Sequence, residues 1–69
     1  MGQQQEIILG RTGTSQYFLR GAWVYRQVGV QTYRYDTLEG FVSELKTGAL
    51  GGGWRETPEG TKQINRFID

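Results

Sequence analysis

Aromatic and aliphatic residues alternate with polar ones through residues 16–36, QYFLRGAWVYRQVGVQTYRYD. A period of two is typical of a β-strand that buries one face. The stretch is also rich in Tyr, Val, Thr and Trp, which suit a pleated, half-buried surface. Gly29 lies between two valines and is the natural turn residue. The pattern therefore predicts one long β-hairpin that turns at Gly29.

The length of the hairpin loop decides which side chains share a face of the sheet. A three-residue loop at positions 28–30 places Tyr25 opposite Tyr33 and Trp23 opposite Tyr35. One face is then almost entirely aromatic, and the other carries the arginines. A two-residue loop instead puts Trp23 and Tyr25 on a face with arginine. We favour the three-residue loop, because aromatic cross-strand pairs contribute about 0.2–1 kcal/mol each.

A short apolar run at residues 6–9 precedes this hairpin, and the segment 10–15, GRTGTS, separates the two. Clusters of Gly, Thr and Ser mark turns. We therefore expect residues 6–9 to form a strand that completes a three-stranded antiparallel meander with the hairpin. Such a sheet is stable when one of its faces is covered.

The hydrophobic period changes from that of a strand to that of a helix after Asp36. Asp36 and Glu39 have the spacing of a capping box, with Asp36 as the N-cap. Apolar residues then recur along a single stripe, formed by Leu38, Phe41, Val42, Leu45 and Ala49. Gly48 or Gly51 can provide the left-handed residue that ends the helix. The stripe predicts an amphipathic helix whose apolar side covers the sheet.

The C-terminal segment gives a more ambiguous pattern. Residues 50–53, LGGG, are typical of a connector, and Pro58 followed by Glu59 and Gly60 is typical of a type I turn. Residues 61–69, TKQINRFID, fit either a helical turn or one face of a strand. We expect a strand that pairs back to the sheet, in a short hairpin with Trp54 around Pro58.

Together these elements predict a small single α+β domain over residues 1–69, with residues 1–5 frayed. The expected architecture is a three- to four-stranded antiparallel sheet, connected as a meander, with one amphipathic helix packed on one face.

The 69-residue chain contains neither cysteine nor histidine. It therefore lacks disulfides, the usual Cys/His ligands of structural zinc, and both the usual general base and a thiol nucleophile. We expect a protein that is not an enzyme and that needs no metal and no cofactor. The first ten residues lack the basic segment and long apolar run of a signal peptide or membrane span. We therefore expect a cytoplasmic protein with no membrane partner.

Charge is segregated along the chain, although the net charge is only +1. Residues 11–35 contain four arginines and no acidic residue. Aromatic side chains stack on the bases of single-stranded nucleic acid, and arginines bind its backbone. We therefore predict a non-enzymatic module that binds single-stranded nucleic acid or another polyanion through the hairpin at residues 16–36. The candidate binding residues are Arg20, Trp23, Tyr25, Arg26, Tyr33, Arg34 and Tyr35.

The same composition fits a second class of protein. Tyr, Trp and Arg are enriched at protein interfaces, and an exposed sheet edge can bind a partner strand. The alternative prediction is a small regulatory or inhibitory protein that binds an acidic protein surface through the same hairpin. A homodimer is compatible with either function. The simplest interpretation of the arginines is that they keep the outer face of a sheet hydrated.

Overall fold

A computed structural model describes residues 6–67 as one antiparallel sheet with two helices. The strands are β1 (Glu6–Thr12), β2 (Ser15–Arg20), β3 (Trp23–Val28), β4 (Gln31–Thr37) and β5 (Arg55–Glu56). The helices are α1 (Leu38–Thr47) and α2 (Pro58–Ile64), and a 3₁₀ turn follows at Asn65–Phe67. The sheet order is β4-β3-β2-β1-β5. The α+β class and the meander are confirmed, with one more strand and one more helix than predicted. The expected fraying of residues 1–5 lies outside the described residues.

Three successive hairpins of the same design build the meander. Each turn has two residues and begins with glycine, at Gly13, Gly21 and Gly29. All three glycines have positive φ, between 42° and 64°, and the residues that follow them do not. This is the backbone pattern of type II′ turns, whose twist matches that of the flanking strands. The prediction of one continuous strand across Gly21 was therefore wrong, because the chain reverses there.

The register between β3 and β4 is that of the two-residue loop. Tyr25 lies opposite Arg34, and Trp23 lies opposite Thr37. The favoured aromatic pairs, Tyr25 with Tyr33 and Trp23 with Tyr35, do not form. Alternation from Arg34 places the Tyr35 ring on the other face, and a bulge at Tyr35 then brings Asp36 opposite Val24. The preferred register was wrong, because the geometry of the turn at Gly29 has a larger effect on strand pairing than the energy gained by pairing aromatic side chains.

Helix α1 confirms the predicted apolar stripe as far as Leu45, with a different cap. Ala49 was wrongly included in the stripe, since it lies beyond the end of the helix and is exposed. Thr37 is the N-cap, and its hydroxyl accepts a hydrogen bond from the Gly40 N–H at 3.1 Å. The carboxylate of Asp36 accepts from the Thr37 N–H at 2.7 Å and occupies the space where a Gly40 side chain would lie. A carboxylate beside the first turn is favourable to the helix dipole. Gly48, with φ of 77°, ends the helix as predicted.

Residues 58–64 form a helix where a turn followed by a strand was expected. Thr57 caps α2 by accepting from the Gly60 N–H at 2.9 Å, and Pro58 occupies the first turn, where its missing N–H costs nothing. The predicted hairpin of Trp54 with residues 61–69 is therefore absent. Instead, Arg55–Glu56 pairs with β1. The part of that prediction at residues 68–69 lies outside the described residues.

A bulge at Leu9 in β1 receives the start of α2. Leu9 is the extra residue between two paired positions, so its carbonyl is free to accept from the Thr57 N–H at 2.9 Å. Gly60 lies so close to the Leu9 backbone that any side chain there would overlap it. These contacts hold α2 on the same side of the sheet as α1, where Ile64 is buried.

The core lies between the sheet and its helices and is largely aromatic. Tyr17 from β2 and Phe41 from α1 have ring centroids 5.1 Å apart, and Trp54 lies 5.5 Å from Phe41. Aromatic pairs at these separations contribute about 0.5–1.5 kcal/mol beyond the area they bury. The fully buried cluster consists of Leu9, Tyr17, Leu19, Val24 and Phe41.

Tyr35 joins α1 to the sheet through a hydrogen bond. Its hydroxyl donates to the Glu44 Oε1 at 2.6 Å. The pKa of Tyr35 is raised, first because ionisation would break this hydrogen bond to a carboxylate, and second because the ring is partly buried.

The location of the core predicts a contrast between two valines. Val42 on α1 is 1 % exposed, whereas Val30 in the second position of a turn is 99 % exposed. We expect Val42→Ala to lower the free energy of unfolding by about 2 kcal/mol, since it removes buried methyl groups and leaves a cavity. Val30→Ala should leave it unchanged within about 0.5 kcal/mol. Urea unfolding followed by circular dichroism measures both. Equal stabilities of the two variants would contradict the packing of α1 on the sheet.

The raised pKa of Tyr35 predicts a pH-dependent contribution to stability. In the unfolded chain this hydroxyl ionises near pH 10, whereas the folded protein holds its proton to higher pH. The hydrogen bond between Tyr35 and Glu44 therefore contributes its full stabilisation of the folded protein below about pH 10, and this contribution falls as the pH rises further. We expect the free energy of unfolding of the wild-type protein to exceed that of Tyr35→Phe by about 1 kcal/mol at pH 7–9. This difference should shrink above pH 10. Urea unfolding across this pH range is the measurement, and a difference that persists to pH 11 would rule out the contact with Glu44.

Candidate functional site

One face of the sheet is covered by neither helix. We call it the open face. Strand alternation and the three turns place these side chains on it: Glu6, Ile8, Arg11, Gln16, Phe18, Arg20, Trp23, Tyr25, Gln27, Thr32, Arg34 and Arg55. Ile8 is 46 % exposed and Trp23 is 38 % exposed, which is unusual for large apolar side chains. The open face is therefore both aromatic and basic.

A stacked aromatic pair lies near the middle of the open face. The rings of Phe18 and Tyr25, directly opposite each other on β2 and β3, have centroids 5.6 Å apart and planes inclined by 12°. The guanidinium of Arg20 lies 5.0 Å from the centre of the Tyr25 ring, and Arg20 also forms an ion pair with Glu6. Phe18 is only 5 % exposed as a result. The Phe18 ring stacks against the Tyr25 ring and so fixes its position.

A second cation–π pair lies towards β4. The guanidinium of Arg34 is 4.2 Å from the centre of the Trp23 ring. Arg34 reaches this ring because it lies opposite Tyr25, whose strand carries Trp23 two residues earlier on the same face. Such contacts contribute about 0.5–1 kcal/mol at exposed sites. The contact places the charge of Arg34 over the Trp23 ring.

The seven predicted site residues are divided between the two faces. The structure brings four together on the open face, namely Arg20, Trp23, Tyr25 and Arg34. The other three, Arg26, Tyr33 and Tyr35, lie on the side of the helices. The prediction treated residues 16–36 as a single hairpin with a three-residue loop, whereas the extra turn at Gly21 and the two-residue turn at Gly29 separate these groups.

Arg26 serves the packing of the sheet on the helix side. Its Nε donates to the hydroxyl of buried Ser15 at 3.0 Å, and its Nη1 donates to the Tyr33 hydroxyl at 2.9 Å. Tyr35 is bound to Glu44 of α1. Arg26, Tyr33 and Tyr35 therefore form their side-chain hydrogen bonds on the helix side, away from the open face.

A shallow depression of about 430 Å³ crosses the open face. Its lining combines the Phe18–Tyr25 stack and Arg20 with polar side chains that can bond to an incoming ligand. These polar residues are Gln16, Gln27 and Thr32. Sequence reasoning missed them, together with Phe18 and Ile8. The recurrence of glycine every eight residues, at 13, 21 and 29, was the available signal for three short hairpins.

Charge is partitioned between the two sides of the molecule. The open face carries four arginines and a single acidic residue, Glu6, which is paired with Arg20. The remaining acids of residues 6–67 lie on the helices or immediately before them, at Asp36, Glu39, Glu44, Glu56 and Glu59. The open face is therefore distinctly basic, although the net charge of the whole chain is only +1.

Residues 6–67 contain no group of three or more side chains with the chemistry to hold a metal ion. In the same range neither helix has the length and apolar character needed to cross a membrane. Comparisons with protein families, with curated proteins and with solved structures found no match for the chain. The geometry of the open face is therefore the basis on which a function can be inferred.

Proposed function

We propose that the open face binds single-stranded nucleic acid, without catalysing a reaction on it. The observation that carries this proposal is the presence of two partly exposed rings, Trp23 and Tyr25, on one uncovered sheet face with Arg20 and Arg34. RNA-binding sheets and single-strand-binding proteins combine aromatic platforms with cationic side chains in this way.

Base stacking is the first part of the mechanism. Trp23 is the more exposed of the two rings, and Tyr25 is held in place by its stacking with Phe18. A ring that is already fixed loses little conformational freedom when a base stacks on it, so more of the stacking energy appears as affinity. Gln16, Gln27 and Thr32 provide hydrogen-bond donors and acceptors beside these rings.

Phosphate binding is the second part. Arg34 has its guanidinium over Trp23, so a base stacked near that ring has its backbone within reach of the charge. The arginines of the open face also make its local potential positive and attract a polyanion from solution. Stacking requires unpaired bases, which favours single strands over a duplex.

A protein partner is the alternative function, and strand β4 favours it. This seven-residue strand forms one edge of the sheet and has no neighbour on its outer side within the described chain. Such an edge can accept a strand from another protein. Binding of that kind would depend on the β4 backbone more than on the rings of the open face.

Truncation of Trp23 tests the stacking platform. We expect Trp23→Ala to weaken binding of a fluorescein-labelled dT12 oligonucleotide about 5- to 150-fold, because each base stack contributes about 1–3 kcal/mol. Fluorescence anisotropy at 50 mM salt measures the dissociation constant. Phe67→Ala, at an exposed aromatic residue distant from the open face, is the control and should bind as wild type does. Failure of the wild-type protein to bind dT12 at this salt would refute the proposal.

Replacement of Arg34 tests the phosphate contact. Each phosphate neutralised on a single strand contributes about −0.7 to the slope of log affinity against log salt. We expect Arg34→Gln to make the slope shallower by about 0.7, and Arg66→Gln to leave it unchanged. Both variants lose one positive charge, but Arg66 is an exposed residue of the 3₁₀ turn beyond α2. Equal effects of the two variants would mean that only net charge matters and that Arg34 makes no phosphate contact.

A further inference from the structure

Two arginines lie directly opposite each other at the far edge of the open face. Arg11 of β1 is the pairing partner of Arg55 of β5. Partners in an antiparallel pair have Cα atoms about 4.5–5.5 Å apart, and like charges in this arrangement destabilise the sheet. The arrangement is notable because β5 contributes only two residues to the pairing, so one of its two cross-strand pairs is repulsive.

Among the described residues no carboxylate forms an ion pair with Arg11 or Arg55, although Glu56 lines the same depression. The one ion pair among residues 6–67 joins Arg20 to Glu6. Glu56, the nearest acid in sequence, has both carboxylate oxygens engaged elsewhere: Oε1 accepts from the indole N–H of Trp54 at 3.1 Å, and Oε2 accepts from the Thr61 hydroxyl. The two guanidinium groups are therefore exposed and available to a common anion.

The arginine pair borders a second depression, of about 320 Å³. Ile8 and Gln16 line both this depression and the one beside the Phe18–Tyr25 stack. The two depressions therefore adjoin each other and form one groove across the sheet. Neighbouring strands are about 4.8 Å apart, so the sheet is roughly 19 Å wide from β4 to β5.

We propose that Arg11 and Arg55 form a clamp for a phosphodiester group at the β5 end of this groove. This inference depends on the proposed function, because it takes the ligand to be the same nucleic-acid strand. The strand then crosses the sheet diagonally, with bases on Trp23 and Tyr25 and a backbone phosphate between Arg11 and Arg55. Guanidinium groups bind phosphate oxygens in a bidentate fork, so two of them facing each other can hold both sides of one phosphate.

The clamp also accounts for the unfavourable pairing in the free protein. A phosphate between the two guanidinium groups replaces their repulsion with two attractive contacts. Removal of one arginine should therefore stabilise the free protein while weakening anion binding, as expected for a residue retained for binding. For Arg55→Gln we expect the melting temperature to rise by about 1–4 °C in phosphate-free buffer at low salt.

A direct test uses pyrophosphate and the full chain. We expect the side-chain Nε–Hε NMR signals of Arg11 and Arg55 to shift and to saturate as pyrophosphate is added. The exposed Arg66, in the 3₁₀ turn on the helix side, provides the internal comparison and should shift little. Absence of saturation at Arg11 and Arg55, or equal shifts at all three arginines, would overturn the clamp.

A second test measures dT12 binding by a charge-matched pair of double variants. Arg11→Gln with Arg55→Gln should reduce affinity about fivefold at 0.1 M salt and make the salt slope shallower by about 0.7. Lys62→Gln with Arg66→Gln loses the same charge and should leave both quantities unchanged. The single variant Arg55→Gln repeats the measurement with one substitution.

The two tests separate the clamp from the proposed function. Binding of dT12 with an unchanged slope in the Arg11/Arg55 variant would overturn the clamp and leave nucleic-acid binding at the open face intact. Saturation by pyrophosphate without any binding of dT12 would refute nucleic-acid binding and establish an anion site at the arginine pair alone.

Discussion

Three two-residue turns determine how the side chains of this domain are distributed. A turn of this kind leaves no freedom in the pairing that follows it, so Gly13, Gly21 and Gly29 set the register of four strands. Register decides which face each side chain occupies. The core, the open face and the division of charge between the two sides of the molecule all follow from these turns.

Two bulges then adjust the regular pattern where the sheet meets its helices. The bulge at Leu9 presents a carbonyl to Thr57 and so attaches α2. The bulge at Tyr35 keeps both Tyr35 and Asp36 on the helix side, where the Tyr35 hydroxyl reaches Glu44 and the Asp36 carboxylate lies beside the first turn of α1. Both bulges therefore direct contacts towards the helix side. A chain of this length without disulfides needs such contacts, because its apolar core is small.

Aromatic residues have two distinct roles in the molecule. On the helix side, Trp54 packs edge to face against both Tyr17 and Phe41 and so helps to form the core. On the open face, Trp23 and Tyr25 have cations as neighbours and keep part of their surface exposed. An aromatic-rich sequence alone does not distinguish these roles. The four predicted site residues on the open face could be found from composition, but their separation from Arg26, Tyr33 and Tyr35 could not.

Local periodicity and composition are enough to establish the α+β class, the amphipathic stripe of α1 and the absence of cysteine and histidine chemistry. The strand register follows only from the folded chain, since alternation is equally regular in either register and the length of the turn at Gly29 selects between them. The tertiary structure also decided that residues 58–64 are helical. That segment has one buried apolar side chain, Ile64, and derives its stability from the cap at Thr57 and the close contact of Gly60 with Leu9. Arg11 and Arg55 are likewise 44 positions apart in the chain, and only the pairing of β5 with β1 makes them neighbours.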